Sequence, residues 1–189
     1  MKLFARVGRW LAVAAVLPVA GAVLAAPADA GAVAPGRPED PVTTGAPSRN
    51  APPTFCLDAH LADVGWQGWR CATGSWVTAG TTGQSRAMEA LRIRFTNAGF
   101  MCAEAHLAGI GWQGWRCGYA GDVIEVGTTG QARRMEALRI YTSTANICLD
   151  AHLADIGWQG GTCAVAPGSV ERGTTGESRR MEAVSVLAW

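Results

Sequence analysis

Tryptophan and glutamine recur together in a short glycine-flanked segment that could bind a ligand. Gly-Trp-Gln occurs three times, with its tryptophan at Trp66, Trp112 and Trp158. A second tryptophan follows at Trp69 and Trp115, whereas Gly161 takes this place in the third occurrence. An exposed indole can stack on the apolar face of a sugar ring, and an adjacent amide can bond the sugar hydroxyls. The candidate ligand-binding residues are therefore Trp66, Trp69, Trp112, Trp115, Trp158, Gln67, Gln113 and Gln159.

Gly161 indicates which of the tryptophans lies on the surface. Replacing a buried tryptophan by glycine leaves a cavity that costs about 3–5 kcal/mol, which one of three related units would not easily absorb. We therefore predict that Trp69 and Trp115 are surface residues, and that the first tryptophan of each segment, set between strands, is in the core. An exposed aromatic of this kind could equally be a hot spot for a protein partner.

Three histidines each follow an acidic residue by two positions. The pairs are Asp58 with His60, Glu104 with His106, and Asp150 with His152. A carboxylate beside an imidazole could orient it for catalysis, but no serine or cysteine nucleophile stands at a fixed place in the three segments. We expect no enzymatic activity, and a structural role in which each histidine bonds a turn backbone or a neighbouring carboxylate. A zinc site built from the three histidines is the alternative; we expect no metal and no cofactor.

Three further glutamates lie on a predicted strand beside apolar residues: Glu89, Glu136 and Glu182. A carboxylate in such a position needs hydrogen-bond partners. We predict that each accepts hydrogen bonds from its own Gly-Thr-Thr-Gly turn or from Arg86, Arg133 or Arg179, in a structural role.

The chain has six cysteines, spaced by 15 residues within three pairs: Cys56 and Cys71, Cys102 and Cys117, Cys148 and Cys163. Two connectivities respect the repeat: pairing within each segment, or pairing the second cysteine of one segment with the first of the next. We favour the first because each unit then carries its own disulfide. Zinc-type Cys-x-x-Cys spacing is absent.

All these residues belong to one unit that is written three times. Cys-Leu-Asp-Ala-His-Leu at Cys56 returns in similar form at Cys102 and Cys148, in steps of 46 residues. Within the unit, Phe55 to Leu61 alternates apolar and polar residues, which predicts a strand with one buried face. Met88 to Phe95 predicts another strand, and glycine-rich turns lie between them.

These units are copies one, two and three, at residues 55–98, 99–145 and 146–189. One copy is too small to bury a good core alone, whereas three copies make a domain of ordinary size. We therefore predict an all-β fold in which the copies close into a pseudo-threefold domain of the β-prism or β-trefoil type. Closure removes edge strands, which favours it over an open row of units.

The N-terminal part of the chain has the pattern of an exported protein. Residues 1–30 combine basic residues, an apolar stretch and Ala28-Asp29-Ala30, and are predicted to be a signal peptide; the proline-rich residues 31–54 are predicted to be a disordered linker. Without residues 1–30 the chain has 13 basic and 14 acidic residues. This near-neutral balance argues against nucleic acid as a partner and against stable membrane insertion after cleavage.

The motifs of the three copies resemble one known family. Ala-His-Leu-Ala-x-Ile/Val-Gly-Trp-Gln, followed by Gly-Thr-Thr-Gly and Arg-x-Met-Glu-Ala, is similar to the ChW repeat, the clostridial hydrophobic repeat named for its tryptophan. The resemblance covers residues 55–189 and implies an exported bacterial protein without established catalytic residues; the cysteine pair in each copy departs from the usual form. We expect a secreted or cell-surface protein that binds a carbohydrate or cell-wall polymer through exposed tryptophan loops. An adhesin-like module that recognises a surface protein is the alternative.

Overall fold

The computed structural model describes residues 51–189, and every regular element in this range is a β-strand. Copy one contributes β1 Thr54–Leu61, β2 Gly65–Trp66, β3 Arg70–Thr73, β4 Val77–Gly80 and β5 Met88–Thr96. Copy two contributes β6 Phe100–Leu107, β7 Gly111–Trp112, β8 Arg116–Tyr119, β9 Val123–Gly127 and β10 Met135–Thr142. Copy three contributes β11 Ile147–Leu153, β12 Gly157–Trp158, β13 Thr162–Ala164, β14 Gly168–Gly173 and β15 Met181–Ala188. The predicted all-β class is confirmed. The predicted signal peptide and most of the predicted linker lie outside the described residues.

The first strand of each copy has the buried face that its alternation predicts. In β1, Phe55, Leu57, Ala59 and Leu61 are all buried. The opposite face is also covered, since Asp58 is only 4% exposed. The outer face of this strand is therefore a partly enclosed polar surface, which the alternation alone did not predict.

Each first strand lies at the centre of a five-stranded sheet. β1 pairs along its length with β5, so that Leu57 faces Ile93 and Ala59 faces Leu91. The short strands β2 and β3 lie in succession along the other edge of β1. The equivalent strands of copies two and three repeat this arrangement.

The disulfides form within each copy, as predicted. Cys56 bonds Cys71, and the two residues lie directly opposite each other on β1 and β3. The other two pairs are equivalent: Cys102 with Cys117, and Cys148 with Cys163. Each bond ties a short edge strand, mostly exposed in copies one and two, to the first strand of its copy.

The fourth strand of each copy joins the sheet of a different copy. β9 of copy two pairs with β5 of copy one, and β14 of copy three pairs with β10 of copy two. β4 of copy one pairs with β15 of copy three, which closes the cycle. No copy completes its own sheet, so the three units depend on one another. This cyclic pairing is compatible with the closed threefold arrangement that we predicted and differs from an open row of units.

The buried faces of the three sheets contribute to one apolar core. Its members come from all three copies and include the methionine that begins each long strand, namely Met88, Met135 and Met181. Apolar burial of this kind, at roughly 25 cal/mol per Å², is the main stabilising contribution.

A glycine at the end of each exchanged strand permits close approach to the neighbouring copy. Gly127 has φ +94°, and a Cβ built on it would lie 2.3 Å from the carbonyl oxygen of Glu89. The next residue, Thr128, donates its backbone N–H to that same oxygen at 2.9 Å. Gly80 and Gly173 make the equivalent contacts with Glu182 and Glu136. The first glycine of Gly-Thr-Thr-Gly is thus required where two copies meet.

Candidate functional site

The tryptophan loop is an interruption in the edge strand of each sheet. In copy one, Trp66 pairs with His60 and Arg70 pairs with Leu57, and the regular pairing is interrupted between them, although the Gln67 N–H still donates to the Ala59 carbonyl at 3.0 Å. The backbone N–H of Gly68 donates to Asp58 Oδ1 at 2.8 Å. In copy two, Gly114 donates to Glu104 Oε1 at 2.6 Å. The acid before each of these histidines therefore supports the loop backbone.

The first tryptophan of each loop lies on the outer face of its sheet. Trp66 and Trp112 are half-buried, Trp158 is exposed, and none of the three belongs to the core. Each ring packs edge-on against the histidine of its copy, with centroids 5.2 to 5.4 Å apart. The prediction that these tryptophans are core residues was wrong, because β2, β7 and β12 are edge strands that turn the indole outward.

The second tryptophan is exposed where it occurs, as predicted. Trp69 is 39% and Trp115 is 43% exposed. Arginine guanidiniums lie near both rings: Arg94 at 5.2 Å from the centre of the Trp69 ring and Arg139 at 4.8 Å from that of Trp115. Both indoles retain free surface for a partner.

The three glutamines of the loops bond the protein's own backbone. Gln113 Oε1 accepts from the N–H of Gly127 at 2.8 Å, and its Nε2 donates to the carbonyl of Gly127 at 3.3 Å. Gln159 makes the same pair of bonds with Gly173, and Gln67 accepts from the N–H of Gly80 at 2.9 Å. These amides were expected to face a ligand; instead they hold the end of the exchanged strand against the loop.

In copies one and two, charged groups cover the outer face of the sheet beside the first tryptophan. Arg92 lies over the Trp66 ring at 3.9 Å and pairs with Glu125 at 2.8 Å. In copy two, Arg139 lies 4.2 Å from the centre of the Trp112 ring, and its Nε donates to Glu104 Oε2 at 2.8 Å. A guanidinium over an indole face contributes roughly 0.5–1 kcal/mol at exposed sites. These arginines therefore occupy one face of the tryptophans that they cover.

Copy three replaces this arginine by a small residue. Ser185 takes the place of Arg92 and Arg139, and its register partners are Asp150 on β11 and Thr78 on β4. The Ser185 and Thr78 hydroxyls are 2.9 Å apart. Trp158 has no guanidinium over it among the described residues and is 42% exposed.

The space left by the arginine is a cavity of about 220 Å³, here called the copy-three groove. Its lining residues are Trp76, Thr78, Asp150, Trp158 and Ser185. Trp76, which is 45% exposed, comes from copy one and enters with the exchanged strand β4. We did not include Trp76 among the candidates. A comparison of the copies contains a signal for this residue. Val123 and Ser169 take the place of Trp76 in copies two and three, and copy three alone lacks the second loop tryptophan.

The histidines contact the glutamate of the paired long strand. The Nδ1–Oε2 distances are 3.2 Å for His60 and Glu89, 3.3 Å for His106 and Glu136, and 3.2 Å for His152 and Glu182. Each Nδ1 is buried and makes no hydrogen bond. A carboxylate therefore lies beside each histidine, but it is not that of the acid two residues earlier, and the hydrogen bond that we expected for the histidine is not formed at Nδ1.

The predicted arginine partners of these glutamates were wrong. Arg86, Arg133 and Arg179 donate instead to the backbone carbonyls of Ala62, Ala108 and Ala154. The arginine one position later does reach the carboxylate in two copies, since Arg134 donates to Glu136 at 3.0 Å and Arg180 donates to Glu182 at 2.9 Å. The turn contributes too, but its threonine bonds the main-chain carbonyl of a glutamate from another copy.

Within residues 51–189, no group of three or more histidine, cysteine, aspartate or glutamate side chains could hold a metal ion. The histidine zinc site considered above is therefore not formed. No helix in the same range is long and apolar enough to span a membrane.

Sequence comparison agrees with the repeats that the structure shows. The family described as clostridial hydrophobic W, or ChW, matches residues 60–97, 106–143 and 152–186. Neither the search of curated proteins nor that of solved structures gave a significant match. The three matches begin at the histidine of each copy and together cover more than half of the chain, and the chain therefore belongs to the ChW family.

Proposed function

We propose that this protein is an exported, non-catalytic binding protein that recognises a carbohydrate of a cell wall or cell surface. The observation that carries the proposal is the copy-three groove, where two exposed tryptophans line one small cavity together with a carboxylate and two hydroxyls. Family membership supports a repeat protein that acts outside the cell. The three disulfides are compatible with an oxidising compartment.

The aromatic part of the groove suits the apolar face of a sugar ring. Trp76 and Trp158 each expose more than two fifths of their surface, and neither lies under an arginine among the described residues. Large exposed indoles gain by covering apolar surface while keeping the N–H free for a hydrogen bond.

The polar part of the groove suits hydroxyl groups. Asp150 is half-buried, and its Oδ1 accepts from the backbone N–H of Ala151 at 2.8 Å. A carboxylate has about four acceptor positions, so Asp150 retains capacity for sugar hydroxyls. Thr78 adds an exposed hydroxyl that can both donate and accept, and it bonds the buried hydroxyl of Ser185 at 2.9 Å.

The same position is occupied in the other two copies. Arg92 and Arg139 lie over their tryptophans and pair with acidic side chains. A neutral ligand would have to displace a paired guanidinium there. We therefore expect one principal sugar site for each chain, in copy three. Its volume of about 220 Å³ lies below the roughly 300–1,000 Å³ of drug-sized ligand sites, which favours a single sugar unit of a polymer.

A second candidate function rests on copy two. A cavity of about 380 Å³ is lined mainly by apolar groups, including Phe100, Trp115 and Tyr141 beside the Cys102–Cys117 disulfide. Tyr119, in contact with Phe100 and 69% exposed, extends this surface. Clustered exposed aromatics are typical of protein interfaces. This surface supports the adhesin-like alternative.

The experiment is a glycan array combined with sedimentation on insoluble polysaccharides and on peptidoglycan. Three variants separate the two surfaces: Trp158→Ala, Ser185→Arg and Trp115→Ala. Ser185→Arg restores the residue found in copies one and two, so we expect it to fold normally and to abolish sugar binding. Trp158→Ala should do the same, and Trp115→Ala should leave binding intact.

Two results would contradict this assignment. Sugar binding that survives Ser185→Arg would place the ligand elsewhere. Sugar binding that is lost only in Trp115→Ala would move the site to copy two. Absence of binding to any glycan, with capture of a surface protein that depends on Trp115, would favour the adhesin-like function.

A further inference from the structure

A third cavity, of about 590 Å³, is lined by residues of all three copies and shares none of them with the copy-three groove. Residues from each copy line it, among them Ala62, Ala87 and Glu89 of copy one, Arg134 of copy two and Arg180 of copy three. The turn segments before β5, β10 and β15 all contribute to its wall.

In copies two and three, an arginine separates a buried glutamate from this cavity. Arg134 Nη2 lies 3.0 Å from Glu136 Oε1, and Arg180 Nε donates to Glu182 Oε1 at 2.9 Å. The two arginines line the cavity, whereas the glutamates that they cover do not. Each carboxylate therefore has a guanidinium on the side facing the cavity and a histidine on its other oxygen.

Copy one lacks this arginine. Ala87 takes the place of Arg134 and Arg180, and Glu89 itself lines the cavity, unlike Glu136 and Glu182. Glu89 is only 8% exposed, so its charge is largely removed from bulk water. Among the basic side chains of residues 51–189, only that of His60 lies within 4 Å of the carboxylate, next to Oε2. Glu89 Oε1 is thus the one equivalent oxygen of the three copies without a guanidinium within 4 Å.

The other arginines near the cavity do not replace the missing one. Arg86 donates to the carbonyl of Ala62, just as Arg133 and Arg179 bond the carbonyls of their own copies. Arg179 also pairs with Glu177 at 2.8 Å. Each arginine on the wall already has an acidic partner, which leaves Glu89 as the unmatched charge.

We propose that this cavity binds one guanidinium group on Glu89 Oε1, in the position that Arg134 and Arg180 occupy in the other copies. The group belongs either to a small guanidinium compound or to an arginine side chain of a protein partner. Such a site does not depend on the copy-three groove, and its failure would leave the carbohydrate proposal unaffected.

The test is an NMR titration of the folded protein with N-acetyl-arginine methylamide, following the amides of Ala62, Ala87 and Ala132. The neutral citrulline analogue is the matched control ligand, and methylguanidinium distinguishes a small ligand from a peptide side chain. We expect saturable binding of one equivalent, with a Kd on the order of millimolar, because one charged contact gives limited affinity. The citrulline analogue should bind at least about tenfold more weakly, as expected when a buried charge is unmatched.

Equal affinity for methylguanidinium and the arginine derivative would identify a site for the guanidinium group alone, and stronger binding of the derivative would identify a peptide site.

Four variants test whether binding depends on the Glu89 carboxylate and on the absence of an arginine at position 87. Ala87→Arg supplies the missing guanidinium and should abolish binding, and Glu89→Gln should abolish it by removing the charge. Arg134→Ala should create a second site on Glu136 and raise the stoichiometry to two. Glu125→Gln, on strand β9 of copy two and on the outer face of the sheet that β9 forms with β5, should change nothing. Unaltered binding in Ala87→Arg or Glu89→Gln, each shown to be folded by its melting curve, would overturn the proposal, as would equal binding of the citrulline analogue.

Discussion

The indole of Trp76, from copy one, lies against the backbone of Gly161, from copy three. A Cβ built on Gly161 would approach Trp76 Cη2 to 3.1 Å. Copy three therefore has an aromatic beside its loop, but this aromatic is supplied by another copy through the exchanged strand β4. Copy three thus has Gly161 in place of the second loop tryptophan, and Trp76 of copy one lies in the space beside this glycine.

This contact predicts coupling between the two positions. Gly161→Trp should displace Trp76, lower stability by about 1 kcal/mol and abolish sugar binding, because the two indoles compete for the same space. Trp76→Val, which introduces the residue of copy two, should remove this conflict. The double variant should lose less free energy of unfolding than the two single variants lose together, by at least about 0.5 kcal/mol. Sugar binding should stay absent in it. Urea unfolding measures the cycle, and strictly additive effects would show that the residues do not compete.

The acids beneath the loops should differ in their contribution to stability. Glu104, which is 2% exposed, accepts from Gly114 and from Arg139. Glu104→Ala leaves the backbone N–H of Gly114 and the guanidinium of Arg139 without this partner and should lower the free energy of unfolding by about 2 kcal/mol. Asp150 bonds only its neighbour Ala151 among the described residues, so Asp150→Ala should cost less than about 1 kcal/mol and mainly affect sugar binding. Equal losses in urea unfolding would contradict this difference.

Local patterns predicted much of the framework and of the disulfide pairing. The alternation from Phe55 to Leu61 requires one buried face, and the substitution at Gly161 correctly placed Trp69 on the surface. Both inferences rest on short-range physics, namely strand periodicity and the free energy of a cavity. The repeat also implied mutual dependence of the copies, since one unit buries too little apolar surface.

Cross-strand contacts could not be predicted in the same way. His60 and Asp58 share a face, but residues two apart on a strand are separated by roughly 6.5–7 Å, whereas neighbours across a ladder have Cβ atoms about 4.5–5.5 Å apart. The carboxylate that His60 contacts therefore comes from β5. The repeat gave no information about which copy receives each fourth strand, so neither the strand exchange nor the position of Trp76 beside copy three could be inferred. Trp66 was misplaced because its edge-strand position and the Arg92 that covers it depend on sheet pairing.

The strand exchange predicts different responses at two glycines of one turn. Gly127 and Gly130 both have positive φ, at +94° and +71°. The Cβ added by Gly130→Ala would point into open space, so this variant should lose only about 1 kcal/mol of unfolding free energy, from backbone strain at positive φ. Gly127→Ala would drive a methyl group into the Glu89 carbonyl and should cost more than about 3 kcal/mol, because β9 must separate from β5. Melting curves of the two variants provide the comparison, and equal destabilisation would mean that the exchanged strand adapts easily.

The disulfides should contribute equally to stability but unequally to binding. Each closes a loop with a sequence separation of 15 residues, for which restriction of the unfolded chain gives roughly 3 kcal/mol. The loop closed by Cys148 and Cys163 contains Trp158, whereas the loop closed by Cys102 and Cys117 contributes nothing to the copy-three groove. Replacing both cysteines by alanine in either pair should lower the free energy of unfolding by a similar amount.

Only the change in copy three should weaken sugar binding, because β13 then loses its covalent attachment to β11 and the loop that carries Trp158 gains freedom. Hydrogen exchange should show faster exchange across residues 157–164 in that variant, with β11 and β15 still protected by their long pairing. Sedimentation on the bound polysaccharide, below the melting temperature of both variants, measures the effect on affinity. Equal weakening in the copy-two variant would show that the bonds act through overall stability and not through the position of Trp158.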